Sequence, residues 1–239
     1  MMDNQALKRA THETFLGLEL DEHLRWHEHV GKVSSKNSRF IGMMRRVKNF
    51  VTPNVLKNIY NTMILPHFTY GIAAWGSTFE KSLTKIKKLQ KKAIRIISKA
   101  HAHDHTEPKQ KALKVLKIED LYKQNVNCLM FDCIKGKAPD NMKDLFKKRS
   151  DNEGCMTRAT TNKSENVLVT KARGSAARRG FRVKGPECWN KLPADIQNIE
   201  IKEKFRTDLK NLYLESYKNR TDCSNKSCND TRHCNHITK

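Results

Sequence analysis

Apolar positions along this chain recur mostly at helical spacing, and one short stretch alternates instead. Phe15-Leu16-Gly17-Leu18-Glu19-Leu20 reads as a strand that Asp21-Glu22 ends. One strand needs neighbours, so this one reads as an edge left from a larger sheet. From Trp26 to about Phe50, the series His29, Val30, Val33, Phe40, Ile41, Met44 and Val47 keeps a helical period. Thr52-Pro53 suits the start of a second helix carrying Val55, Leu56, Ile59, Tyr60, Met63 and Ile64, which Pro66 should kink or break. A third helix is expected over about 80–99, then a connector rich in His, then a short helix from about Lys109 to Leu116. Ile118, Leu121, Tyr122, Val126, Leu129, Met130, Cys133 and Ile134 form the apolar face of another, with Glu119-Asp120 favourably placed in its first turn. Gly136 and Pro139 end it. Over about 148–180 the period disappears among Thr, Asn, Ser, Arg and Gly, as expected of a flexible linker. A small closing unit, Phe181 to Tyr217, ends in a helix built on Phe205, Leu209, Leu212 and Leu214. The pattern predicts a mainly α fold.

The helix over about 80–99 divides cleanly on a wheel. Leu83, Ile86, Leu89, Ala93, Ile94, Ile96 and Ile97 gather on one arc, and Lys81, Lys85, Lys88, Lys91, Lys92, Arg95 and Lys99 on the other. After Glu80 it carries no acid, although a solvated helix normally mixes signs for a small gain in stability. Uniform positive charge repels itself, so this face suggests an anionic partner, and phosphate fits best. The plain alternative is a solvated lysine face that touches nothing. Composition favours the former: 47 Lys+Arg against 25 Asp+Glu give a net charge of +22. That exceeds what solubility requires and points to nucleic acid. A membrane is disfavoured, because no apolar run approaches the roughly 20 residues a spanning helix needs. Met1-Met2-Asp3-Asn4-Gln5 does not open a secretory signal, so the seven cysteines read as thiols or metal ligands. Arg173, Arg178, Arg179, Arg182 and Lys184 form a second basic cluster, either a nucleic-acid contact or a charged linker.

The tail holds Cys223, Cys228, His233, Cys234 and His236. Zinc takes four such donors, and Cys223, Cys228, His233 and His236 are the candidate set. The alternative is a disordered tail bearing thiols, since Asn, Ser, Asp and Lys fill the gaps and build no core without metal. His101, His103 and His105 read as a solvated turn, and Trp26, Trp75 and Trp189 as core positions with base stacking as the rival reading.

The motifs have an order that resembles a known family. Phe15-Leu16-Gly17-Leu18-Glu19-Leu20-Asp21 with Leu24 and Trp26 resembles the segment after the catalytic palm of non-LTR (LINE, jockey-like) retrotransposon reverse transcriptases. Tyr70-Gly71, Trp75-Gly76, Leu89-Gln90-Lys91-Lys92-Ala93-Ile94-Arg95-Ile96-Ile97 and His105-Thr106 resemble the helical thumb of that family. Phe181, Gly185-Pro186, Trp189-Asn190 and Leu192-Pro193, continued by Phe205 and Leu209, resemble its C-terminal end. The family polymerises DNA on an RNA template with carboxylates that hold divalent metal ions, typically from an Asp-Asp hairpin. This chain contains no Asp-Asp, so the resemblance implies a region beyond the catalytic core and no enzyme by itself.

The implied organisation is the end of a palm-like strand (1–25), a helical thumb-like domain (26–147), a basic flexible linker (148–180), a C-terminal helical unit (181–217) and the Cys/His tail (218–239), disordered without metal. The implied role is sequence-independent binding of an RNA, RNA–DNA or DNA backbone through Lys81, Lys85, Lys88, Lys91, Lys92, Arg95, Arg178 and Arg179. The implied setting is intracellular, nuclear or within a nucleoprotein. Two alternatives stand beside it: an accessory part completed by a separately encoded palm, and an inert relic of a transposon.

Overall fold

The computed structural model describes residues 10–147 and 166–217. The chain opens not with one strand but with an antiparallel hairpin, β1 (His12–Phe15) and β2 (Leu18–Asp21), in which Phe15 faces Leu18 and His12 faces Asp21. The alternating stretch therefore contains its own turn. Leu16 and Gly17 both take positive φ (48° and 74°), the two-residue loop whose twist matches paired strands. An Asn-Gly or Asp-Gly pair would have signalled that loop, and Leu-Gly does not.

The hairpin is fixed to the helices at both ends. At the turn, Tyr70 Oη donates to the Leu16 carbonyl at 2.6 Å. Gly71 lies so close to β2 that a Cβ there would meet Leu18 Cδ2 at 2.8 Å. At the other end the Asp21 carboxylate accepts the N–H groups of His23, Arg25 and Trp26 at 2.7–3.0 Å, which satisfies a tight loop before the first helix. Partial burial opposes charge on Asp21, but these donors outweigh it and hold its pKa below the ordinary value.

Helix α1 (His27–Val47) follows, then α2 (Pro53–Ile59). The chain does not break at Pro66. It widens into a π-turn over Tyr60–Ile64, with Leu65 N–H donating to the Tyr60 carbonyl, and continues as α3 (Leu65–Thr69). The wider turn puts Pro66 at a helix start, where no N–H is required. After the short α4 (Ile72–Trp75) comes α5 (Glu80–Ile97), which packs along α1. Helices α6 (Glu107–Leu113), α7 (Ile118–Ile134) and α8 (Asp140–Lys143) complete the first described segment. The second holds α9 (Ser175–Arg179), α10 (Phe181–Trp189), α11 (Ala194–Gln197) and α12 (Lys202–Glu215). The architecture is mainly α, as the pattern predicts.

Two apolar cores result. The first gathers Trp26, Val30, Met44, Leu56, Tyr60, Phe68, Trp75, Ile86 and Ile94 from α1 to α5. The second gathers Met130, Phe131, Val167, Trp189, Leu192, Phe205 and Leu209. Helices α7 and α12 join them: Ile118, Leu121 and Leu214, with Tyr217 just past α12, enter the first, while Met130, Phe131, Phe205 and Leu209 enter the second. Of the stretch expected as linker, residues 148–165 lie outside those described. In the remainder Val167 is buried, its N–H and C=O clamped by the Asn190 side chain at 2.9 and 2.8 Å. Of Val167, Leu168 and Val169 only the first is buried, which leaves no period to read.

Candidate nucleic-acid interface

Helix α5 is held rigidly from beneath. Leu83, Ile86, Ala93, Ile94 and Ile97 are buried, and so is the polar Gln90. The Gln90 amide donates to Tyr60 Oη (3.0 Å) and to the Leu116 carbonyl (2.8 Å), and its oxygen accepts Ile118 N–H (3.2 Å). One side chain thus ties α5 to the π-turn and to the start of α7, with its amide fully satisfied. Burial pushes the Tyr60 hydroxyl up to about 12, so it stays a neutral acceptor for Gln90.

The opposite face carries the predicted cations. Lys81, Lys85, Lys88, Lys91 and Lys92 are exposed, and none of these ammonium groups pairs with an acid among the described residues. Lys81, Lys85, Lys88 and Lys92 follow one another along one stripe about 16 Å long, at about 1.5 Å per residue. Two other cations of α5 are spoken for. Half-buried Lys87 joins Glu80 and Glu119, whose charges outweigh desolvation and raise its pKa. Arg95, predicted to contact phosphate, is half-buried and donates Nε and Nη2 to the Asp104 carbonyl at 3.2 and 3.1 Å. It holds the loop after α5, a role invisible in a helical wheel.

The second basic cluster comes to the first. Arg179 lays its guanidinium 4.3 Å from the centre of the Phe79 ring, which stacks on His27 from α1. Its carbonyl accepts Ser77 Oγ at 2.7 Å. Exposed Arg178 donates to the Ala172 carbonyl at 3.1 Å, and Lys184 pairs with Glu187 at 2.7 Å. Sequence reasoning missed Arg25, whose exposed side chain lies with Lys81 and Arg179 along one cleft. Its only sequence signal was its place beside Trp26.

The remaining candidates are structural or lie elsewhere. Trp75 and Trp189 are fully buried and Trp26 nearly so, and Trp75 Nε1 donates to the Tyr70 carbonyl at 2.8 Å. Glu119 is engaged by Lys87, and Asp120 accepts Tyr217 Oη at 2.8 Å and Lys123 Nζ at 3.1 Å. Among the described residues no three His, Cys, Asp or Glu converge on a possible metal position, and no helix is long and apolar enough to cross a membrane. Cys223, Cys228, His233 and His236 lie outside the described residues.

No family model and no solved structure matches the chain. Among curated proteins it is similar to the RNA-directed DNA polymerase from mobile element jockey of Drosophila melanogaster, 28% identical over 109 residues. The match takes in 44% of this chain and 12% of that protein's length. The ordered motifs and this similarity agree, and the chain is related to the jockey-like non-LTR retrotransposon reverse transcriptases.

Proposed function

We propose that this chain is a region of a retrotransposon polymerase beyond its catalytic core, thumb-like in role, which binds nucleic-acid backbone without reading sequence. The carrying observation is the row of exposed ammonium groups, Lys81, Lys85, Lys88, Lys91 and Lys92, with no acid partner among the described residues, on a helix whose other face is locked into the core. Phosphate contacts of this kind fix position and carry no base information. Arg178 and Arg179 extend the basic surface from α9. The partner is an RNA, RNA–DNA or DNA backbone, in a nuclear or nucleoprotein setting. Zinc on the Cys/His tail is part of the same proposal. The test is a binding titration against salt. With about five phosphates neutralised, log affinity for a duplex should fall against log salt with a slope of about −4.5, alike for unrelated sequences. A flat salt dependence would overturn the reading.

On this reading the chain alone extends no primer with magnesium or manganese. Template-dependent incorporation above a control without protein would refute that. The outer edge of β1, exposed along its length, favours a second reading in which a palm encoded elsewhere completes the polymerase. Co-purification of a complex with primer-extension activity would decide for it.

A further inference from the structure

A cleft of about 720 Å³ opens where three segments meet: the loop Glu22–His27, the start of α5 at Phe79 and Lys81, and the residues Gly174–Ala176 with Arg179. Three of its lining residues are full cations, Arg25, Lys81 and Arg179, and they come from positions far apart in the chain. The acid that lines it, Glu22, is met by His23 at 3.2 Å. Glu80, the next acid along α5, turns down the helix to Lys87. The cleft therefore carries three cations against one lining carboxylate and is positive on balance. Arg179 is also preorganised, because the Phe79 ring holds its guanidinium at 4.3 Å and less side-chain entropy is lost on binding.

The shape selects among polyanions. A duplex presents its strands across grooves about 6 to 12 Å wide with its bases paired inside, and a recess of this size does not admit it. A single strand can enter and turn its phosphates to each wall. We propose that this cleft takes a single-stranded segment adjoining a duplex laid along α5, with Arg25, Lys81 and Arg179 on its phosphates. The proposal rests on the reading of α5 as a backbone-binding face and adds a strand preference that α5 alone does not give.

The test uses the full chain and two probes, a blunt duplex and the same duplex with about six unpaired nucleotides. The overhang should tighten binding about tenfold and steepen the salt slope by about 1.4, since Lys81 already serves the duplex and Arg25 and Arg179 add roughly −0.7 per phosphate on a single strand. Arg25→Gln keeps the backbone bonds at that position and should remove about half of the added slope. Arg25→Gln with Arg179→Gln should remove most of the overhang's gain. Equal affinity of the wild type for both probes, or a gain that survives the double substitution, overturns the cleft while leaving α5 standing. Competition of the overhang's gain by millimolar pyrophosphate also overturns it, since the site would then serve a free anion. Binding of neither probe overturns the cleft and the reading of α5 together.

Discussion

The lysines of α5 and a set of five lysines around α7 and α12 look alike in sequence and differ in their partners. Around the second core, Lys135 meets Glu200 at 3.0 Å, Lys184 meets Glu187 at 2.7 Å, Lys123 meets Asp120 at 3.1 Å, and Lys202 meets Asp132. Lys117 does the same toward Glu107 at 2.7 Å and lies over the Tyr217 ring. On α5, five lysines stand outward with no such partner among the described residues, and the one lysine that is paired, Lys87, is half-buried. These cations are met within the fold, between elements for Lys117, Lys135 and Lys202 and inside one helix for Lys123 and Lys184. A rigid row left without acids is a surface waiting for charge from elsewhere. Net charge alone does not separate the two classes, but pairing does.

The hardest strain on the comparison comes from the core under α5. Trp75→Ala removes a fully buried ring and its bond to the Tyr70 carbonyl, and should cost about 3–5 kcal/mol in a urea melt. Duplex affinity should fall in step with the folded fraction. A melted variant that still bound with wild-type salt slope would show that charge alone, without the rigid face, accounts for binding.

Next in size is the face itself. Lys88→Glu with Lys92→Glu reverses two exposed positions one turn apart and touches no buried side chain. Affinity should drop at least tenfold on every duplex, the slope should shrink to about −2.7, and the melting curve should stay where it was. Unaltered affinity would mean that these charges are merely solvated.

How legible this was in sequence depends on the residue. The buried arc and the cationic arc of α5 are both plain in the pattern, because each follows from position on a helix. The bond of Arg95 to the Asp104 carbonyl is not, since it depends on where a loop returns. The motif residues have scaffold roles: Tyr70 and Gly71 seat the hairpin, Gln90 joins three elements, and Asn190 clamps Val167. Family resemblance therefore marked the frame of the site more than its charges. Arg25 and the cleft were beyond reach, because they arise only when three distant segments meet.

Acid should separate the two cores without any substitution. His29 is buried between Trp26 and Trp75, its Nδ1 accepting the Glu19 N–H at 3.5 Å. Desolvation lowers its pKa from 6.5, opposed by Glu19 and aided by Lys32. Its contribution is thus present above about 6.5 and is lost as pH falls below that toward the lower folded value. The second core holds no histidine. The indole N–H resonance of Trp75 in the unsubstituted chain should report loosening as pH falls below 6.5, before that of Trp189 does. Simultaneous change at both would mean that the cores respond as one.

The smallest expected effect is the sharpest test of the distinction itself. Lys202→Met keeps the aliphatic stem and deletes the charge that meets Asp132. Lys202 is 43% exposed and its partner 17%, so solvent screens the pair, and the loss should be below about 1 kcal/mol. A double-mutant cycle with Asp132→Asn would show whether even that belongs to the pair and not to the lost side chain. Duplex affinity and salt slope should not move, because a cation already neutralised within the fold releases no counterions from a partner. Like Lys88, Lys202 is a helix lysine near the surface, and composition cannot tell them apart. A fall in affinity comparable to that of the α5 double variant would mean that positive charge acts collectively over the whole surface. Unchanged binding with a slightly earlier melt would mean that pairing, residue by residue, decides which lysines face the nucleic acid.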